Sequence, residues 1–378
     1  MLRVLFVCGA ATGGAPRSTL QLAGQLIGRG YAVEVVLANS SRHGRRRRRL
    51  YKRSVDATTS LRRWRLGRVL APALEGPQRW IGARGRQSAE GGIVPVVRSA
   101  VPENVAMSRM RAWHPDVVVA SSVERVAYRR LRARCRRDRI PFVLYMRGVS
   151  ELGHLAIPGN APDLLLTNTR SVGETAAAAG HPATYIPSLI DVAEASVRST
   201  RFTVLLVNPL RSHGSDIAAA AARALPDIPF VFQESWELSD AERETLAQQL
   251  AGLANVELRE PMPRASQVFA DARLLLAPHQ IDNRPRVVLE AQLNGIPVVA
   301  TAQPGLIDQV GPGGILLPLD ADSKTWAATI ARLWDDVAEY EQLCERAVAH
   351  ASRPEQRTET IVNSFDEQLR IVVGRGNA

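Results

Sequence analysis

The sequence predicts an α/β protein built as two tandem, doubly wound parallel sheets. Three observations carry that expectation. Short apolar runs alternate with longer amphipathic ones throughout, the pattern of parallel strands joined by helical crossovers. The cycle restarts near residue 203. At 378 residues the chain exceeds one ordinary domain and suits two, each with enough apolar content for a core.

In the first half the strand candidates are RVLFVC (3–8), VEVVLA (33–38), IVPVV (93–97), DVVVAS (116–121), FVLYM (142–146) and LLLTN (164–168). The helices between them include 17–29, 123–137 and 170–179. The second cycle reads TVLLVN (203–208), FVFQE (230–234), VELRE (256–260), RLLLAP (273–278), PVVAT (297–301) and GILLP (314–318). We place the domains at 1–189 and 190–378. The tail from about Thr325 reads as helices, broken around SRPEQ (352–356), the last a candidate to cross back to the first lobe. One segment has no sheet element in this reading. Residues 41–92 contain five consecutive arginines and several glycines between two strands, a basic insertion that reads as either a functional excursion or a mobile stretch. Trp64 and Trp80 there suit either interfacial anchors on lipid or the core of a small helical insertion.

No run of eighteen apolar residues occurs, and the N-terminus turns to glycines after one short strand, so a cytoplasmic protein is expected, with peripheral attachment at the inner face of a membrane an option. Cys8, Cys135 and Cys344 have no metal-ligand spacing and read as structural thiols. The net charge of +11 is unevenly spread. Residues 1–190 carry 31 Lys+Arg against 11 Asp+Glu, a balance of +20; the rest carry 17 against 26, a balance of −9. A field of that sign on the first lobe attracts phosphates or anionic lipid. All but two of the 48 basic residues are arginine, which codon bias alone would also produce.

Ligands of doubly wound sheets sit beyond the carboxyl ends of the strands. After the first strand comes GAATGGAPRSTLQL, where Gly13 and Gly14 let backbone amides approach a ligand at a helix N-terminus. It is not G-x-G-x-x-G, and no acid follows the second strand, which argues against a dinucleotide dehydrogenase. In the second half VNPLRSHGSD puts Asn208, Arg211 and His213 in the loop after a strand, with cations in reach of a pyrophosphate. HQIDNRPRVVLEAQLNG then sets Asp282 in a ligand-facing loop, Pro285 at a helix start and Glu290 on an otherwise apolar helix. A buried carboxylate needs a hydroxyl or cationic partner, and a ribose diol is a natural one.

These stretches resemble the retaining glycosyltransferases of family four. GGAPRSTLQLAGQLIGRGYAVEVV is similar to that family's Gly-Gly loop and first helix, and RPRVVLEAQLNGIPVVATAQPGLIDQVGPGGILLP to its signature region. The family's hallmark is Glu, seven residues, then Glu; here the pair is Asp282 and Glu290. The resemblance implies a GT-B fold, two Rossmann-like domains facing across a cleft. It implies transfer of a sugar from an NDP-sugar donor, with retention and without a metal or other cofactor. Glu290 would hold the ribose, Asp282 the donor sugar, and Gly14 with the amides of Arg286 and Val287 the diphosphate. Where the family has an Arg and a Lys, this chain has Asn208 and His213; Arg211 would supply a cation, and His213 only if protonated. Where many members have a His after the fifth strand, this chain has Arg147, and His154 is a possible substitute. The acceptor would be a glycan, a lipid-linked saccharide or a small metabolite, met mainly on the basic first lobe. A sugar-nucleotide epimerase or phosphorylase, and a catalytically silent binder, remain alternatives; nucleic acid is not the expected partner. Glu290→Ala is expected to abolish donor binding without unfolding the chain.

Overall fold

The computed structural model describes residues 1–39, 83–156, 159–236 and 238–376. Contacts divide the chain into two units. Unit 1 comprises 1–168, 173–186 and 362–378; unit 2 comprises 169–172 and 187–361.

Unit 1 runs β1 (Arg3–Cys8), α1 (Gly14–Gly28), β2 (Ala32–Ala38), β3 (Ala83–Ala89), β4 (Gly92–Ser99), α2 (Pro102–Trp113), β5 (Val117–Ser121), α3 (Arg125–Asp138), β6 (Phe142–Met146), β7 (Leu164–Thr167), α4 (Arg170–Ala178) and β8 (Thr184–Tyr185). The strand order is β3-β4-β2-β1-β5-β6-β7-β8, parallel except for the antiparallel β3–β4 pair. Strands β1, β5 and β6 are buried at nearly every position because helices cover both sheet faces, so they read as unbroken apolar runs.

The expectation that 41–92 lacks a sheet element is corrected at its end, where β3 and the following turn occupy 83–91. This strand is exposed along its length. An edge strand with no buried face carries no apolar alternation, so nothing in ARGRQSA announces it. Its hairpin turn fits α1 closely: a Cβ on Gly91, which has φ +94°, would lie 2.5 Å from the Gly24 carbonyl oxygen. The five-arginine run, Trp64 and Trp80 lie outside the described residues.

Unit 2 runs α5 (Val192–Ala195), β9 (Thr203–Val207), α6 (Ser215–Ala224), β10 (Phe230–Gln233), α7 (Asp240–Leu250), β11 (Val256–Arg259), α8 (Ala265–Val268), β12 (Ala272–Ala277), α9 (Arg286–Leu293), β13 (Val298–Thr301), α10 (Pro304–Val310), β14 (Gly314–Leu317), α11 (Ser323–Asp335) and α12 (Val337–Ala351). Its order is β11-β10-β9-β12-β13-β14, all parallel. Alternate residues of β9 serve two cores. Val204 and Leu206 pack with α6 and α11 residues such as Ala218 and Trp326; Leu205 and Val207 pack with α9 residues such as Val288. The last helix, α13 (Thr358–Gly376), belongs to unit 1 from Val362 onward, where Phe365 stacks on Phe6 at 6.1 Å.

The chain leaves β9 toward β10 and β11, then returns across to β12. The carboxyl ends of β9 and β12 are thus the topological switch point of this sheet, where connections part and leave a crevice. The two loops that border it touch closely. Gly214 has φ +77°, and a Cβ there would lie 2.2 Å from the Pro278 carbonyl oxygen. Both the left-handed backbone and the clash exclude a side chain. Gly214→Ala should therefore lower the stability of unit 2 by about 2–4 kcal/mol, read as a drop in its thermal midpoint.

Candidate functional site

At the unit 2 switch point the loop after β9 folds back on itself. Asn208 takes a left-handed conformation with φ 58°, and its carbonyl accepts the Leu210 amide at 2.6 Å and faces His213 Nδ1 at 3.0 Å. A carbonyl oxygen accepts only, so Nδ1 carries the proton and Nε2 keeps its lone pair in the neutral ring. The second loop reaches across. The Gln280 amide donates to the Ser212 carbonyl at 2.9 Å, and the His279 ring stacks on His213 with centroids 4.6 Å apart. His279 is buried, with Nδ1 2.7 Å from Asn283 Oδ1.

Burial lowers the pKa of His213 and, with the neighbouring His213 ring as the next cause, pushes His279 down to about 4. Both rings are neutral at pH 7, so the condition for His213 to act as a standing cation is not met in the unliganded chain. Arg211 is 82% exposed and pairs with Asp216 at 3.6 Å, a contact that solvent screens.

Glu290 lies on the second turn of α9 and is 7% exposed. Its partner is on its own helix: Arg286 donates to Oε1 from Nη2 at 3.1 Å and from Nε at 3.3 Å. Arg286, read from the sequence for its amide, therefore also has a side-chain role. Glu290→Ala therefore removes one partner of an almost buried guanidinium, and loss of one partner of such a pair costs about 3–5 kcal/mol. Arg286 and Val287 open α9, and the first amides of a helix have no acceptor within it. Asp282 is half-buried, and Oδ1 accepts the Gly305 amide at 2.7 Å, tying its loop to the start of α10. That tie gives Asp282 a structural role that the sequence did not disclose.

Two residues of this loop escaped sequence reasoning. His279 follows the strand end directly, and only the fold shows that it meets His213. Arg284 is 6% exposed, with Nε and Nη2 lacking hydrogen-bond partners among the described residues. A charged residue just before the helix-opening Pro285 was the available signal.

In unit 1, Gly13 has φ +91° and precedes Gly14, the first residue of α1. Arg147 follows β6, with its guanidinium 3.7 Å from the Tyr145 ring centroid and Nη1 3.5 Å from Ser18 Oγ on α1. Glu151 anchors these loops: its carboxylate accepts the Ser122 amide at 2.8 Å and the Arg147 amide at 2.6 Å. Burial outweighs those donors and pushes its pKa up to about 7. His154 is placed differently from the expectation that it substitutes for the family histidine. It is buried, its Nε2 meets the Val123 carbonyl at 2.8 Å, and its ring stacks on Tyr128 at 4.9 Å, so packing accounts for it. Burial raises the pKa of all three cysteines, as expected of structural thiols.

The structure thus gathers Gly13, Gly14 and Arg147 at the carboxyl edge of one sheet, and Asn208, Arg211, His213, Asp282, Arg286, Val287 and Glu290 around that of the other. Among the described residues no three His, Cys, Asp or Glu are grouped as metal ligands, and no helix is long and apolar enough to cross a membrane. The sequence contains Asp320-x-Asp322, in which Asp322 caps α11 by accepting the Thr325 amide.

The depressed pKa of His279 has a consequence for stability. Its unfolded value is 6.5, so the unfolded chain binds the extra proton and stability falls as pH drops from about 6.5 toward 4. The loss from this residue between pH 7 and pH 5 should be about 2 kcal/mol. Thermal melts of the wild type and of His279→Gln should show that much less acid destabilisation in the variant.

Residues 234–336 match the family described as Glycosyl transferases group 1. The D-inositol 3-phosphate glycosyltransferase of Paenarthrobacter aurescens is 32% identical over 186 residues, 46% of each chain. The enzyme of the same name from Thermobispora bispora is 33% identical over 106 residues, 28% of this chain and 24% of that one. The chain therefore aligns with less than half the length of these relatives. Among solved structures, Anabaena Alr3699/HepE in complex with UDP-glucose superposes with a TM-score of 0.71 at 16% identity, covering 98% of this chain and all of that one. Sucrose-phosphate synthase of Thermosynechococcus elongatus gives 0.71 at 13% identity, covering 99% and 100%. At such identities the likeness shows the fold. Part of the second unit, residues 234–336, thus matches the group 1 glycosyl transferases, and the chain as a whole has the GT-B fold of these structures.

Proposed function

We propose that this chain transfers a sugar from a nucleoside diphosphate sugar to an acceptor, with retention of anomeric configuration and no requirement for a metal. The observation that carries the reading is the unit 2 switch point, where the loops after β9 and β12 meet beside the Glu290–Arg286 pair at the start of α9. Anabaena Alr3699/HepE has been solved with UDP-glucose, and the curated relatives are glycosyltransferases by name.

In this reading Glu290 accepts the ribose hydroxyls while retaining Arg286. The opening amides of α9 face the diphosphate, whose negative charge grows as the bond to the sugar breaks. Asp282 keeps Oδ1 on the Gly305 amide and turns its other oxygen to the sugar hydroxyls. Arg147 and the Gly13–Gly14 turn are assigned to the acceptor and transferred sugar. The +20 balance of the first half favours an acceptor bearing phosphate or carried at an anionic surface, and the relatives' names point to inositol phosphates as one class to try.

Calorimetric titration of the purified chain with UDP, GDP, ADP and dTDP should find one preferred nucleotide. Glu290→Gln, which keeps the side chain's shape, should weaken it at least tenfold; equal affinity in the folded variant would remove Glu290 from the site. Incubation with the matching NDP-sugar and inositol phosphate or glycan acceptors should give a product whose anomeric proton coupling matches the donor's.

A diphosphate beside His213 Nε2 would also favour the protonated ring. Affinity should therefore rise as pH falls from 8 to 6, by up to about tenfold per unit between the free and bound pKa values, with proton uptake visible in buffers of differing ionisation enthalpy. His213→Gln should flatten that dependence.

A further inference from the structure

We propose that Arg284 is the residue that clamps the diphosphate of the bound nucleotide, an inference that rests on the reading of the unit 2 site given above. An arginine ordinarily threads its stem along apolar surface and leaves its guanidinium in water. Arg284 does not: the residue is 6% exposed, and Nε and Nη2 have neither a hydrogen-bond partner among the described residues nor contact with solvent. Other well-covered arginines of unit 2 each reach at least one acceptor. Arg201 donates to the carbonyls of Asn294 and Gly295, Arg259 pairs with Asp271, and Arg273 lies over the Tyr340 ring and donates to the Trp334 carbonyl, although its Nε has no acceptor among the described residues. A buried guanidinium without such partners is costly, and a ligand that supplies the missing acceptors would offset the cost.

The loop also prevents relaxation. Asn283 Oδ1 is fixed to His279, Asp282 Oδ1 to the Gly305 amide, and the Pro285 carbonyl to Gln309 Nε2 at 2.8 Å. Residues on both sides of Arg284 are thereby pinned, and the backbone of Asn283 lies so close to Gly305 that a Cβ there would come within 2.4 Å of the Asn283 oxygen. The backbone at residue 284 is thus held, and its guanidinium reaches a ligand by rotation about its own side-chain bonds.

The missing acceptors belong to an anion. Arg284 sits two residues before α9 at the carboxyl edge of β12, where the sheet opens its crevice and the helix presents its amides. The neighbouring basic groups are otherwise occupied: Arg211 is exposed and paired, Arg286 holds Glu290, and the two histidines are neutral. A guanidinium fork fits two oxygens of a diphosphate, and a loop already held in place loses little freedom on binding.

The test is calorimetry on the full chain with the preferred nucleoside diphosphate, alongside saturation-transfer NMR with the corresponding nucleoside, for wild type, Arg284→Gln and Arg284→Lys. Arg284→Gln should weaken the diphosphate about 10- to 100-fold and leave the nucleoside unchanged, with Arg284→Lys intermediate because the fork is lost. Without ligand, the melting temperature of Arg284→Gln should equal or exceed that of wild type, since an unpaired buried charge is removed. Wild-type affinity for the diphosphate in folded Arg284→Gln, or equal loss for nucleoside and diphosphate, would overturn the assignment while leaving the site standing. A wild-type chain that binds none of the four diphosphates would instead overturn the reading of the site itself.

Discussion

The structure of the candidate site depends on the contact between two loops at the unit 2 switch point. The loop after β9 can lie against the loop after β12 only because Gly214 has no side chain where Pro278 approaches. That contact brings the Gln280 amide to the Ser212 carbonyl and sets His279 on His213. From there the second loop is carried to Asp282 and its tie to Gly305, then into α9 with Arg286 and Glu290. Side chains separated by up to eighty residues in the chain are thereby held around one crevice before any ligand arrives. Such preorganisation leaves less freedom to be lost on binding.

The electrostatics of that crevice are arranged with little standing positive charge. A stacked histidine pair at a sheet edge, His279 buried and His213 half-buried, cannot readily hold two protons, because desolvation and mutual repulsion both oppose it. Arg286 and Glu290 neutralise one another. Positive potential in the crevice therefore comes from the opening amides of α9 and from Arg284, with the proton on His213 as a further charge that an anion can draw in. Unit 1 holds a different arrangement. There a buried carboxylate, Glu151, ties two loop amides together near Arg147, and its pKa of about 7 places its titration in the physiological range.

Most of the fold was legible because the strands of both sheets are covered on two faces and leave unbroken apolar runs in the sequence. Strand β3 was not, since an exposed edge strand containing Arg84 and Arg86 has no face to pattern. Glu290 stood out as a polar residue on an apolar helix, and the need for a partner followed from burial alone. The identity of that partner, Arg286, was within reach of helical spacing, four residues back. The capping of Gly305 by Asp282 and the stacking of His279 on His213 depend on crossovers that join distant segments, so local pattern held no sign of them. His154 shows the converse case: its residue type suggested chemistry, and its neighbours Tyr128 and Val123 give it packing. Arg284 was hidden for a related reason, because burial at a loop position comes from residues far along the chain.

The most direct test of the account is amide hydrogen exchange on the full chain with and without saturating nucleoside diphosphate, since it locates the ligand without altering a residue. The account predicts added protection in unit 2 concentrated at 208–216 and 279–290, the two loops and the opening of α9. Protection centred elsewhere, or binding that leaves both segments exchanging as in the free protein, would contradict it.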